Sequence, residues 1–120
     1  MSDYLPKFKP GSAFTLPASA AVTGGRLVVA SGVSTIAHSG DDAGNVVGVA
    51  GFDAAIGESV TVYPRSSVHR LTASGAITAG ARVAAAAAGK VQTIGSKTNP
   101  IGTALETAAA DGDVIDVVLD

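Results

Sequence analysis

The residue types that do chemistry are scarce in this chain. Its 120 residues hold two histidines, ten carboxylates and no cysteine, so disulfides and thiolate metal ligands are excluded. Neither His38 nor His69 stands at a metal-ligand spacing from the other or from a pair of carboxylates. Ser67, His69 and an aspartate could in principle form a nucleophile, base and orienter. The G-x-S-x-G elbow that would support such a set is missing. Asp111-Gly112-Asp113, with Asp116 and Asp120, resembles a sparse calcium loop, but the EF-hand register and its closing bidentate Glu are absent. Asp-Gly is also the ordinary pair of a hairpin turn, which is the reading the spacing favours. Asp41-Asp42 falls in the polar stretch His38–Asn45 and reads as a solvated loop tip. Gly24-Gly25 belongs to no G-x-G-x-x-G, and Gly89-Lys90 is followed by Val91, so no phosphate-cradling loop is expected. The sequence therefore predicts a non-enzymatic protein with no catalytic, cofactor-binding or metal-binding residues.

Composition narrows the alternatives. There are 23 Ala, 15 Gly, 15 Val and 10 Thr, against 3 Phe, 2 Tyr and no Trp. A hydrophobic fraction of 47% argues against a disordered polar chain. Only 15% of residues are charged, which leaves a neutral surface or one that a partner covers. The net charge of −2 is no footprint for nucleic acid. No apolar run approaches a membrane span, and Asp3, Lys7 and Lys9 interrupt the N-terminus, so neither a membrane partner nor a signal peptide is expected.

The elements that must position any binding residue come in two sets. Leu16–Gly25 lies beside Leu71–Gly80 with six identities in ten positions. Further anchors follow in order: Ala30–Val33 with Ala87–Val91, Val33–Ile36 with Val91–Ile94, Asn45–Ala50 with Asn99–Ala104, and Gly57–Val62 with Gly112–Val117. Such ordered recurrence is the mark of an internal repeat, here about 16–63 and 71–118. Val, Ile, Thr and Leu runs punctuated by Gly predict an all-β fold of about ten short strands. They fall near 13–16, 26–30, 33–37, 46–50 and 59–63, then 68–72, 82–86, 91–95, 101–105 and 114–119. Ala84–Ala88 has helical propensity, yet Gly89 ends it at once, so a strand entering a hairpin loop is expected. The architecture predicted is a compact barrel or sandwich-like β domain over 15–120, preceded by an extended arm over 1–14.

That arm concentrates scarce residues. It holds Tyr4, Phe8 and Phe14, with Leu5 also apolar, and Lys7 and Lys9 flank Phe8. Pro6 and Pro10 bias their neighbours toward extended backbone. Tyr4, Leu5, Pro6, Lys7, Phe8, Lys9, Pro10 and Phe14 are therefore the candidate binding residues, with the arm docked on another protein.

The opening Tyr4–Gly11, then Leu16–Gly25, Val47–Ala55, Val60–Tyr63, Gly75–Gly80, Ala88–Lys90 and Asn99–Gly102 resemble the capsid decoration, or cement, proteins of tailed bacteriophages, a family long catalogued as a domain of unknown function. The resemblance covers essentially the whole chain. It implies a small β-rich protein made in the host bacterial cytoplasm and carried on the outer surface of the virion capsid. The partners implied are the major capsid protein and other copies of the chain, often as a homotrimer, with capsid stabilisation as the role. A β-rich carbohydrate-binding or adhesin module is the alternative; it would favour exposed aromatic platforms, and only Phe52 and Tyr63 lie outside the arm.

Overall fold

The computed structural model describes residues 11–120. Ten strands follow one another: β1 Phe14–Pro17, β2 Leu27–Gly32, β3 Thr35–His38, β4 Val46–Ala50, β5 Ser59–Pro64, β6 Val68–Thr72, β7 Arg82–Ala85, β8 Val91–Thr93, β9 Pro100–Ala104 and β10 Val114–Leu119. They form two five-stranded antiparallel sheets, ordered β1-β5-β4-β2-β3 and β6-β10-β9-β7-β8. Replacing each strand of the first sheet by the one five places later reproduces the second. The fold is all-β and sandwich-like, and it is not a closed barrel.

The repeat extends to single hydrogen bonds. Ala18 bridges Ile36 in parallel and Val22 bridges Ala54, while Ala73 bridges Val91 and Ile77 bridges Ala108 in the same senses. Both halves interrupt the same ladder with a bulge, between Val28 and Val29 in one and between Val83 and Ala84 in the other. The β4–β5 and β9–β10 pairs each approach too closely for a side chain at one point. A Cβ on Gly48 would collide with the Tyr63 carbonyl, and one on Gly102 with the Val118 carbonyl. These two glycines also match in the sequence repeat.

Two anchors of the sequence alignment are corrected, and the first is Ala30–Val33, which does not correspond to Ala87–Val91 because the ladders match Ala30 with Ala85. Val33–Ile36 does not correspond to Val91–Ile94: Ile36 and Val91 occupy the same place, because Ala30 pairs with Ile36 as Ala85 pairs with Val91. The Ala-rich run behaves as a strand that ends at Ala85 and enters a loop. A single 3₁₀ turn, Ala87–Gly89, forms there with Ala88 in the left-handed region at φ 59°.

Each half carries its own apolar core. Val28, Ile36, Val60 and Val62, with Ala18, Val22, Ala50 and Ala54, fill the first. The matching Val83, Val91, Ile115 and Val117, with Ala73, Ile77, Ala104 and Ala108, fill the second. Alternation along the strands sends these residues inward. The opposite face of β2 and β4 presents Leu27, Val46 and Val49, which join the second core and hold the halves together.

Candidate interaction surface

The structure separates the residues that could have formed a catalytic set. His38 Nε2 accepts the Thr23 N–H at 2.8 Å, whereas His69 Nε2 donates to the Pro64 carbonyl at 3.0 Å. The aspartates near the C-terminus each find a different partner. Asp113 accepts the Ala109 and Ala110 N–H groups at 2.9 and 3.2 Å, Asp116 meets Arg70 at 2.9 Å, and Asp120 meets Arg82 at 2.7 Å. Asp111 lies 3.5 Å from Lys90. Among the described residues no three His, Asp or Glu side chains are grouped to hold a metal ion.

The Asp41-Asp42 pair departs from its expected place as a solvated tip. Asp42 takes the backbone N–H groups of Thr98 and Asn99 at 3.0 Å each and the Thr98 hydroxyl at 3.0 Å. Asp41 takes Gln92 at 2.6 Å and Lys97 at 2.9 Å. The pair is a latch from the first half onto the second, continued inward by Ser39 Oγ donating to the Ala86 carbonyl at 3.0 Å. Hydrogen bonds from Lys97, then Gln92, hold the Asp41 carboxyl below its ordinary range, and the Thr98 N–H does the same for Asp42. On the same seam, burial and then the Arg26 charge push the His38 imidazole down. The 3₁₀ turn closes against this seam. Gly89, at φ 72°, has room for no Cβ, which would come within 2.8 Å of the Arg26 Cβ and the Leu27 carbonyl. Its N–H donates to the Ser39 carbonyl at 3.2 Å.

Of the eight arm candidates, Tyr4, Leu5, Pro6, Lys7, Phe8, Lys9 and Pro10 lie outside the described residues. Phe14 opens β1 opposite Val62 and packs half-buried against the first core, so the fold itself uses this side chain. Gly11, which precedes β1, is one wall of a cleft of about 680 Å³ that Tyr63, Pro64, Arg65, Ser66, Ser67 and His69 also line. Tyr63 is half-exposed there, and Arg65 Nη1 donates to the Val46 carbonyl at 3.2 Å. Sequence reasoning did not find this cleft. Its signal was indirect, a Tyr-Pro-Arg-Ser-Ser run between the two repeats that neither repeat explains. Two apolar tips also stand out on the first half, Val33 at 96% and Ile56 at 72% exposure.

The fold is thus a twice-used β module whose polar groups are tied into turns and a latch between the halves. The chain belongs to the phage cement protein family, whose model matches residues 8–119. It is also similar to a solved structure, the head fiber gp8.5 N base in bacteriophage phi29. The TM-score is 0.74 at 23% identity, over 91% of this chain and 93% of that one. That likeness is one of fold. No curated protein matches the sequence. The family and the fold together place this chain among phage capsid-associated structural proteins.

Proposed function

We propose that the chain binds the outer surface of a tailed-phage capsid and stabilises it without catalysis, contacting the major capsid protein and other copies of itself as a homotrimer. The observation that carries this reading is the family match across residues 8–119, which spans both halves and enters the arm. Physical support comes from the composition. A core made largely of Val and Ala buries little area per residue, at about 25 cal/mol per Å² of apolar surface, so lattice contacts add burial the monomer lacks. Many weak sites on a repeating lattice act together through effective concentration. A low charge limits repulsion between crowded copies.

In this reading residues 1–14 lie extended on the neighbour. Tyr4, Leu5 and Phe8 are the apolar anchors, and Phe14 ties the arm to the first core. Lys7 and Lys9 aid encounter with shell carboxylates, and Pro6 and Pro10 lower the ordering cost. The test is deletion of residues 2–12 with a shell-binding assay. The truncated chain is expected to fold and to bind far more weakly. Phe8→Ala should cost on the order of 2 kcal/mol of shell affinity, and Lys9→Ala under about 1. Unchanged binding by the truncated chain would overturn the role of the arm.

A further inference from the structure

The cleft beside Gly11 joins cationic and hydroxyl groups to an apolar wall. The chain carries ten carboxylates against eight Lys and Arg, yet none of the described residues lining this cleft is a carboxylate. Its polar groups are the Arg65 guanidinium, the His69 imidazole and the Ser66 and Ser67 hydroxyls; its apolar wall is Tyr63 and Pro64. Arg65 donates to the protein from Nη1, and its charge also acts on the Asp120 carboxylate, whose direct partner is Arg82. The Arg65 Nε is buried without a hydrogen-bond partner, and a buried N–H left unpaired is a donor in want of an acceptor. The floor is firm as well: the Ser67 carbonyl accepts the Leu119 N–H at 2.9 Å, and His69 is held to Pro64. This volume takes a side chain or two together with a short stretch of backbone.

We propose that this cleft is a notch for a carboxylate-bearing peptide segment of the shell partner, with the carboxylate on the Arg65 guanidinium and an adjoining apolar side chain against Tyr63. The inference rests on the capsid-binding reading above. Two observations choose a peptide as occupant. The charge is complementary to an acidic side chain. Gly11, where the ten preceding residues begin, lines the same cleft, so a neighbour engaged by the arm is already within reach of it. A planar guanidinium is also suited to paired contacts with a carboxylate.

The test exploits Ser66, which is exposed and sits at φ 64°, a region that Asn and Asp tolerate. Ser66→Asp places a negative charge in the notch, and Ser66→Asn is its uncharged match. Full-length wild-type and variant chains are titrated onto shells stripped of this protein, at low and high salt. Ser66→Asp is expected to weaken binding about tenfold at low salt and less at high salt, with Ser66→Asn within about twofold of wild type. Equal binding by the Asp and Asn variants, with wild type bound, would overturn the notch and leave the capsid reading intact. Failure of wild type to bind would instead overturn the capsid reading and the notch with it. A parallel NMR titration of the soluble wild type uses galacturonate. Shifts at Tyr63, Ser66 and His69 while Ser66→Asp still binds shells normally would reassign the cleft to a sugar acid and sink the peptide.

Discussion

In the first half Leu27, Val46 and Val49 are buried at 0%, 5% and 4% exposure against the second half, while the matching positions of the second half carry Arg82, Pro100 and Thr103 facing outward. The backbone is the same at all three places, down to the bulge. Only the side chains say which face meets a partner. Inward positions are apolar in both halves, as each five-stranded sheet must cover its own core. Outward positions diverge because, among the described residues, the first half packs on the second there while Arg82 and Pro100 of the second half stay exposed. Arg82 is tied to Thr103 at 3.2 Å and to Asp120 at 2.7 Å, which gives the second half a polar end of the kind that terminates repeat arrays. The hairpin tips diverge in the opposite sense. The second-half tip lies on the seam, where the Ala88 carbonyl accepts Arg26 at 3.2 Å; the first-half tip projects Val33 into solvent.

The hardest way to break this symmetry is at the paired glycines. Gly48→Ala and Gly102→Ala should each cost about 3 kcal/mol or more, because the obstacle is a backbone carbonyl and no rotamer avoids it. Denaturant unfolding of both variants checks this. A large loss at one site and none at the other would show that the two strand approaches are not equivalent.

The interface face sharpens the comparison further. Leu27→Ala should cost about 2–3 kcal/mol, since it opens a cavity between the halves. Arg82→Ala at the matching place should leave the unfolding midpoint nearly unchanged, because it faces water and its ion pairs are exposed. Comparable losses at the two positions would contradict the assignment of inward and outward roles.

Most of the fold was legible because strand periodicity and glycine punctuation are local signals, and the repeat doubled each of them. The strands near 46–50, 68–72 and 114–119 coincide with β4, β6 and β10. The register slip at Val33 has a physical cause. Val-x-Thr-Ile recurs in both halves, but backbone pairing follows the bridge from Ala18 or Ala73, so identical letters fell on different ladder positions. What joins distant parts of the chain was not legible. Asp42 meets Thr98 and Asn99 at separations of 56 and 57 residues, a full repeat away, and no local pattern marks a carboxylate as a latch. The cleft brings Gly11 to Tyr63–His69 for the same reason. Phe14 was read with the arm because its aromatic character matched Tyr4 and Phe8; pairing with Val62 gives it to the sheet.

Acid should act on the latch and on the Arg82–Asp120 pair alike. Asp41, Asp42 and Asp120 all have carboxyls held below their ordinary range, so their contribution is present above the unfolded carboxylate pKa, near 4, and is lost as pH falls through the folded values. Unfolding followed from pH 5 to pH 2 should therefore show falling stability. Asp42→Asn should flatten part of that slope, because the amide cannot titrate. A slope identical to wild type would mean that the latch does not hold the halves in solution.

A smaller effect at milder pH separates the halves most finely. His38 and Thr93 occupy matching positions, opposite Val28 and Val83, so one half carries a titratable group where the other carries none. His38 is pushed down by burial and by the Arg26 charge, and its Nε2 must keep a lone pair to accept the Thr23 N–H. The folded state therefore resists protonation, while the unfolded chain binds a proton near pH 6.5. Stability attributable to His38 is full above that value and declines as pH falls from about 6.5 toward the lower folded pKa. A charged imidazole would face the Arg26 charge, beside the turn that carries Gly89. His38→Thr imports the second half's solution. It should remove the decline between pH 7 and pH 5 and leave the steeper loss below pH 4 in place. Stability curves of the two proteins that run parallel across pH 7 to 5 would show that the imidazole is not what distinguishes the two seams.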